Sequence, residues 1–158
     1  MAKGTEIVVV AEPAGRYLEG IVYGTPKPGT MMQIKDGVEP INGRFTFEVY
    51  TPGTNGDRRP VLILLPDRGQ GKLETDAYVS GTRCFLYAPI AGEDINVLRK
   101  DISGTGDDFA IGALLIAESG SGKFIATTGS PESEPFQVLE TVTDPTADGL
   151  VWCLYTGY

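Results

Sequence analysis

Three stretches place reactive residue types close together. Gly120-Ser121-Gly122-Lys123 has the glycines and lysine of a phosphate-cradling loop. That loop needs a glycine separated by four residues from the Gly-Lys pair, a Ser or Thr after it, and a helix to follow. Here position 117 is alanine, Phe124 follows the lysine, and both flanks read as strands, so the expectation is a hairpin tip. Asp101, Asp107 and Asp108 offer oxygens to a calcium ion. Their spacing is not that of an EF-hand and lacks its closing glutamate, so the stretch reads as a solvated acidic loop. Glu93-Asp94 follows Gly92 in a turn, where acids ordinarily sit.

Other catalytic chemistry lacks its partners. The 158-residue chain contains no histidine, which removes the commonest general base, the commonest metal ligand and the physiological pH switch. Serine and cysteine nucleophiles therefore have no imidazole to activate them. Cys84 and Cys153 lie inside apolar runs without metal-ligand spacing, and are expected to be buried free thiols. No catalytic, cofactor-binding or metal-ligating residue is expected, and the chain is read as not an enzyme. Thirteen Lys and Arg against 21 Asp and Glu give a net charge of −8, which repels phosphate backbones and argues against nucleic acid. No apolar run approaches a membrane span. Met1-Ala2-Lys3-Gly4 lacks a signal-peptide pattern, so synthesis in the cytoplasm is expected.

The elements are short and punctuated. Val61 to Leu65 is apolar throughout and bounded by prolines, which predicts a strand covered on both faces. Arg44 to Tyr50 alternates, predicting Phe45, Phe47 and Val49 on a buried face and Arg44, Thr46 and Glu48 on a wet one. Leu150 to Tyr155 predicts a last strand with Trp152 in the core, while Lys72 to Tyr78 suggests one or two helical turns. Pro26, Pro28 and Gly29 set a rigid turn, with Gly29 taking positive φ. Tyr78 to Lys100 holds two apolar runs broken at Pro89 and at Gly92-Glu93-Asp94. Turn signals roughly every 8–15 residues predict a mainly β fold: a compact barrel- or sandwich-like single domain of short strands with little helix.

Residues 1–20 stand apart from the all-β body expected over 21–158. Thr5, Glu6, Ile7, Val8, Val9 and Val10 are strand-like and then interrupted by Pro13 and Gly15. Such a segment is either the first edge strand or an extended arm that adds a strand to another protein's sheet. Tyr17, Tyr23, Trp152, Tyr155 and Tyr158 gather near the two ends of the sequence, and exposed tyrosines favour protein interfaces.

The order of short motifs resembles a known family. The arm Ile7 to Pro13 is followed by Gly20 and Lys27-Pro28-Gly29-Thr30-Met31. Then come Tyr78-Val79-Ser80-Gly81-Thr82-Arg83-Cys84, Ala91-Gly92-Glu93-Asp94-Ile95-Asn96, Ile111-Gly112-Ala113-Leu114-Leu115, Gly122-Lys123-Phe124 and Val138-Leu139-Glu140-Thr141. This pattern is similar to the capsid decoration (cement) proteins of tailed bacteriophages, of the kind that stabilises the head of phage lambda. The loop at 51–60 departs from it. The resemblance implies a homotrimeric structural protein on the exterior of an expanded capsid, clamping neighbouring capsomers. Its arm, with Thr5, Glu6, Ile7, Val8, Val9, Val10 and Tyr17 as contact candidates, would join a strand of the major capsid protein. Two other readings stand beside it: a virion or cell-surface sandwich binding carbohydrate or protein through exposed aromatics, and a trimeric all-β hydrolase.

Overall fold

The computed structural model describes residues 7, 14–51, 60–101, 109–127, 135–143 and 145–157. The fold is mainly β, as the turn spacing predicts, and its strands close into two five-stranded barrels. The first barrel contains β1 (Arg16–Val22), β2 (Met31–Ile34), β3 (Thr46–Val49), β4 (Leu62–Leu64) and β5 (Arg83–Ala88), in the order β1-β3-β2-β4-β5. The second contains β6 (Asp94–Arg99), β7 (Leu114–Ala117), β8 (Phe124–Thr127), β9 (Phe136–Val138) and β10 (Gly149–Tyr155), in the order β10-β6-β8-β7-β9. A single turn of 3₁₀ helix, Arg68–Gln70, follows β4. The stretch from Tyr78 to Lys100 is the crossover: β5 belongs to one barrel and β6 to the other.

The alternation of side chains builds two cores from the first barrel's strands. Met32, Leu62, Leu64, Cys84 and Leu86 point inward with Val22 and Phe47. Their neighbours Met31, Ile63 and Tyr87 point outward, yet they are also buried, because that face sits against the second barrel and joins its core. Register lines these three up, Met31 opposite Ile63 and Ile63 opposite Tyr87. Hence β4 is covered on both faces, which is why Val61 to Leu65 is apolar without alternation.

Two glycines join the barrels. Gly29 has φ +85°, its N–H donates to Leu64 O at 2.7 Å, and its carbonyl accepts from Leu98 N at 3.0 Å. A Cβ there would lie 2.7 Å from Leu98 N, so only glycine lets β4 and β6 share this residue. Gly122 has φ +60°, and its carbonyl accepts from Met31 N at 3.0 Å. A Cβ there would meet Met31 O at 2.6 Å. The Gly120 to Lys123 stretch is a hairpin tip between β7 and β8, as expected, and its glycine serves this close approach.

Several local expectations are corrected. Phe45 is 47% exposed, whereas Thr46 is buried beside Phe47. The reason is that β3 begins at Thr46, where parallel pairing with β1 starts at Ile21, so Phe45 lies just beyond the barrel's end. Lys72 to Tyr78 forms turns, and the helical turn falls earlier, at Arg68–Gln70. Trp152 is half-buried, because the β10 side chains that enter the core are Val151, Cys153 and Tyr155. Both cysteines are buried and free. Burial pushes the Cys84 thiol up to about 12 and the Cys153 thiol well above its ordinary range.

Candidate functional site

The chain enters β1 through a clasp built around one buried carboxylate. Glu93 follows Gly92, whose φ of +95° turns the chain from β5 toward β6, and Glu93 is 6% exposed. Its Oε2 accepts from Ile90 N at 2.8 Å. Its Oε1 accepts from the Tyr87 hydroxyl at 2.7 Å, from Ala14 N at 2.7 Å and from Gly15 N at 3.2 Å. Gly15 N also reaches the Tyr87 hydroxyl oxygen at 3.0 Å. Residue 15 must be glycine, since a Cβ would run into Ala88 O and the end of the Tyr87 ring.

Burial alone would raise the Glu93 carboxyl. The Ile90 N–H, the Tyr87 hydroxyl and the N–H groups of Ala14 and Gly15 outweigh it and hold the group below its usual range. Burial and the bond to Glu93 together push the Tyr87 hydroxyl up. The clasp is therefore an ionised carboxylate whose donors include the backbone just before β1. It fixes the backbone of Ala14 and Gly15 at the start of β1.

A second tie lies on β6. Ile7 is 2% exposed within the second barrel's core, and its carbonyl accepts from Asn96 N at 2.7 Å. The β6 edge facing away from β10 is divided among three segments: Asn96 N donates to Ile7 O, Leu98 N to Gly29 O, and Lys100 N, just past the strand, to Phe124 O.

Of the contact candidates, Ile7 is thus buried on β6, and Tyr17 is 60% exposed on β1 with its ring 5.0 Å from that of Tyr87. Thr5, Glu6, Val8, Val9 and Val10 lie outside the described residues. Ile7 and the clasp both attach to the β6 region, Ile7 through Asn96 on the strand and the clasp through Glu93 just before it. Glu93 was legible only as a turn acid. Its reach to a segment 78 residues earlier is a tertiary contact that spacing does not carry.

The other sequence motifs settle into structural roles. Lys123 Nζ sits 2.5 Å from Asp148 Oδ2, and Asp148 Oδ1 accepts from Asp101 N at 2.9 Å, so these groups tie the β8 and β10 approaches together. Asp107 and Asp108 lie outside the described residues. Among the described residues, no group of three or more His, Cys, Asp or Glu is placed to hold a metal.

No family model matches the chain, and no curated protein matches it. Among solved structures, it is similar to the N base of the head fiber gp8.5 of bacteriophage phi29. The match spans 90% of this chain and 94% of that one, with 10% sequence identity and a TM-score of 0.52. The two proteins share a fold. The likeness extends over nearly the whole of both chains.

Proposed function

We propose that this chain is a structural protein of a phage particle, bound to the outside of the head, with no catalytic activity of its own. The fold shared with a phage head-fiber base over 90% of the chain carries this reading. The finer reading is a cement role. A homotrimer engages the major capsid protein, clamps neighbouring capsomers of the expanded shell and stiffens it, with the arm residues other than Ile7, which stays on β6, adding a strand to the capsid protein's sheet. The clasp at Glu93 supports that role, because force on an arm has to be transmitted to the body at a fixed root. Two barrels joined through glycine contacts and a shared core give that root a rigid support. A net charge of −8 keeps such a protein soluble and away from DNA.

The test mixes the chain with emptied, expanded heads and measures binding and head melting, after light scattering has given the oligomeric state. A trimer that binds and raises the heads' melting temperature is expected. Val8→Pro with Val10→Pro removes two strand donors while leaving Ile7 on β6. This variant should stay folded and lose head binding. Unchanged binding would overturn the arm, and no binding by the wild type would overturn the cement role.

A further inference from the structure

The edge of β1 is open along its first four residues. β1 pairs with β5 from Arg16 to Ile21, but with β3 only from Ile21 onward. Ile21 N donates to Phe45 O at 2.9 Å on the β3 side, and Val22 N donates to Thr82 O at 2.9 Å on the β5 side. Alternation then turns the N–H and C=O groups of Tyr17 and Glu19 away from β5, toward the side where β3 has not yet begun. Among the described residues no backbone or side-chain group meets them there. Before Phe45 the chain leaves this position, because Ile41 and Arg44 close a hairpin through bonds of 2.9 and 3.0 Å. Arg16, Tyr17, Leu18 and Glu19 are all exposed in consequence.

An unpaired edge is a template for another strand, and folds that must avoid this blunt it with proline, a bulge or an unpaired charge. Arg16–Glu19 has no proline or bulge, and Glu19 is already met by Arg44 at 2.7 Å. That leaves Arg16 as the charge an occupant must answer, since its guanidinium has no carboxylate partner among the described residues. The slot spans roughly 13 Å. It ends against Phe45, whose carbonyl lies 2.8 Å from where a Cβ on Gly20 would sit. A second copy's β1, laid antiparallel with its Tyr17 opposite Glu19, would drive its Arg16 into that obstacle, so an edge-to-edge self-pair does not fit. A segment free of its own fold does. Arg16 and Leu18 share one face and Tyr17 lies on the other, so an acid belongs opposite Arg16 and apolar side chains opposite Leu18 and Tyr17. We propose that the β1 edge from Arg16 to Glu19 is a strand-addition site for an extended, acidic and apolar segment of a partner protein. The site is separate from the arm and does not depend on the cement role: here the chain accepts a strand rather than donating one.

The experiment uses the full chain and fluorescent peptides of about eight residues, followed by anisotropy. One peptide alternates glutamate and valine, a second alternates lysine and valine, and a third is the first with all its backbone nitrogens methylated. Saturable binding is expected for the glutamate peptide, about tenfold or more weaker binding for the lysine peptide, and none for the methylated one. Glu19→Pro removes one outward N–H and fills the slot with its ring while leaving the ladder to β5 intact. The fold should hold and binding should fall by about tenfold or more. Glu19→Gln keeps the N–H and should bind as well as the wild type or better. Arg16→Glu should reverse the order of the two charged peptides. Should Glu19→Pro fail to fold, Arg16→Glu and the methylated peptide carry the test. No saturable binding by the wild type, or binding indifferent to both Arg16→Glu and backbone methylation, would overturn the site. So would light scattering that shows a wild-type oligomer which Glu19→Pro dissociates, since a second copy would then hold the edge.

Discussion

The two barrels have the same number of strands but close in different ways. In the first, β1 pairs with β5 over six residue pairs and with β3 over two, so the barrel's own strands complete the ring. In the second, β6 meets β8 at a single pair, Arg99 with Phe124. The rest of that β6 edge is satisfied by Ile7 and Gly29, which come from outside the barrel. The cores differ in the same sense. The first barrel's interior is a separate cluster, whereas the second barrel's interior continues into Met31, Ile63 and Tyr87 of its neighbour. One barrel is self-contained, and the other is completed by borrowed chain. The borrowed pieces include Ile7, from the segment proposed to reach the capsid.

The largest expected effect comes from breaking the joint. Gly29→Val forces a branched side chain onto φ +85° and against Leu98 N, and should cost roughly 3–5 kcal/mol of unfolding free energy in urea. Next is the shared core. Ile63→Ala removes the middle of the Met31–Ile63–Tyr87 row and should cost about 3 kcal/mol, with both barrels weakened, whereas Leu86→Ala should act first on the first barrel. Denaturant melts followed by probes in each barrel check this.

The clasp has a smaller effect with a defined pH signature. Glu93→Gln keeps the shape and loses the charge, and should cost about 1–3 kcal/mol near neutral pH, since hydrogen bonds to a buried charged group are lost or weakened. The folded carboxyl lies below its ordinary value of 4.5, so its stabilisation is complete above that pH and disappears as pH falls through the folded value. The stability difference between wild type and Glu93→Gln should therefore shrink on acidification below about 4.5. A difference that stays constant, or grows, would show that the charge is not what holds Ala14 and Gly15.

Strands were legible wherever pattern and environment agree. Val61 to Leu65 announced a doubly covered strand, the hairpin tip at Gly120 to Gly122 was plain from its turn residues, and Gly29 was readable as a positive-φ position. Pairing was not legible. Barrel closure joins β1 to β5 and β6 to β10 across long stretches of chain, and alternation fixes a face without naming a partner. That is why the pattern puts Phe45 on the buried face, although the barrel's pairing begins only at Thr46, one residue further on. The site was less legible still. The candidate arm residues stood out as a β-rich run, whereas the group that roots them, Glu93, looks like any acid in a turn.

Nature has placed one thiol in each barrel core, Cys84 in the first and Cys153 in the second, both buried. Their labelling by a thiol reagent under native conditions, resolved by peptide mass spectrometry, reports the opening of each barrel separately. Ile7→Ala removes part of the borrowed segment and should cost about 2 kcal/mol. The account predicts that this substitution accelerates labelling at Cys153 by about tenfold or more and leaves Cys84 close to its wild-type rate. Equal acceleration at both thiols, or none at Cys153, would contradict the claim that the second barrel is completed by the chain's own N-terminal segment.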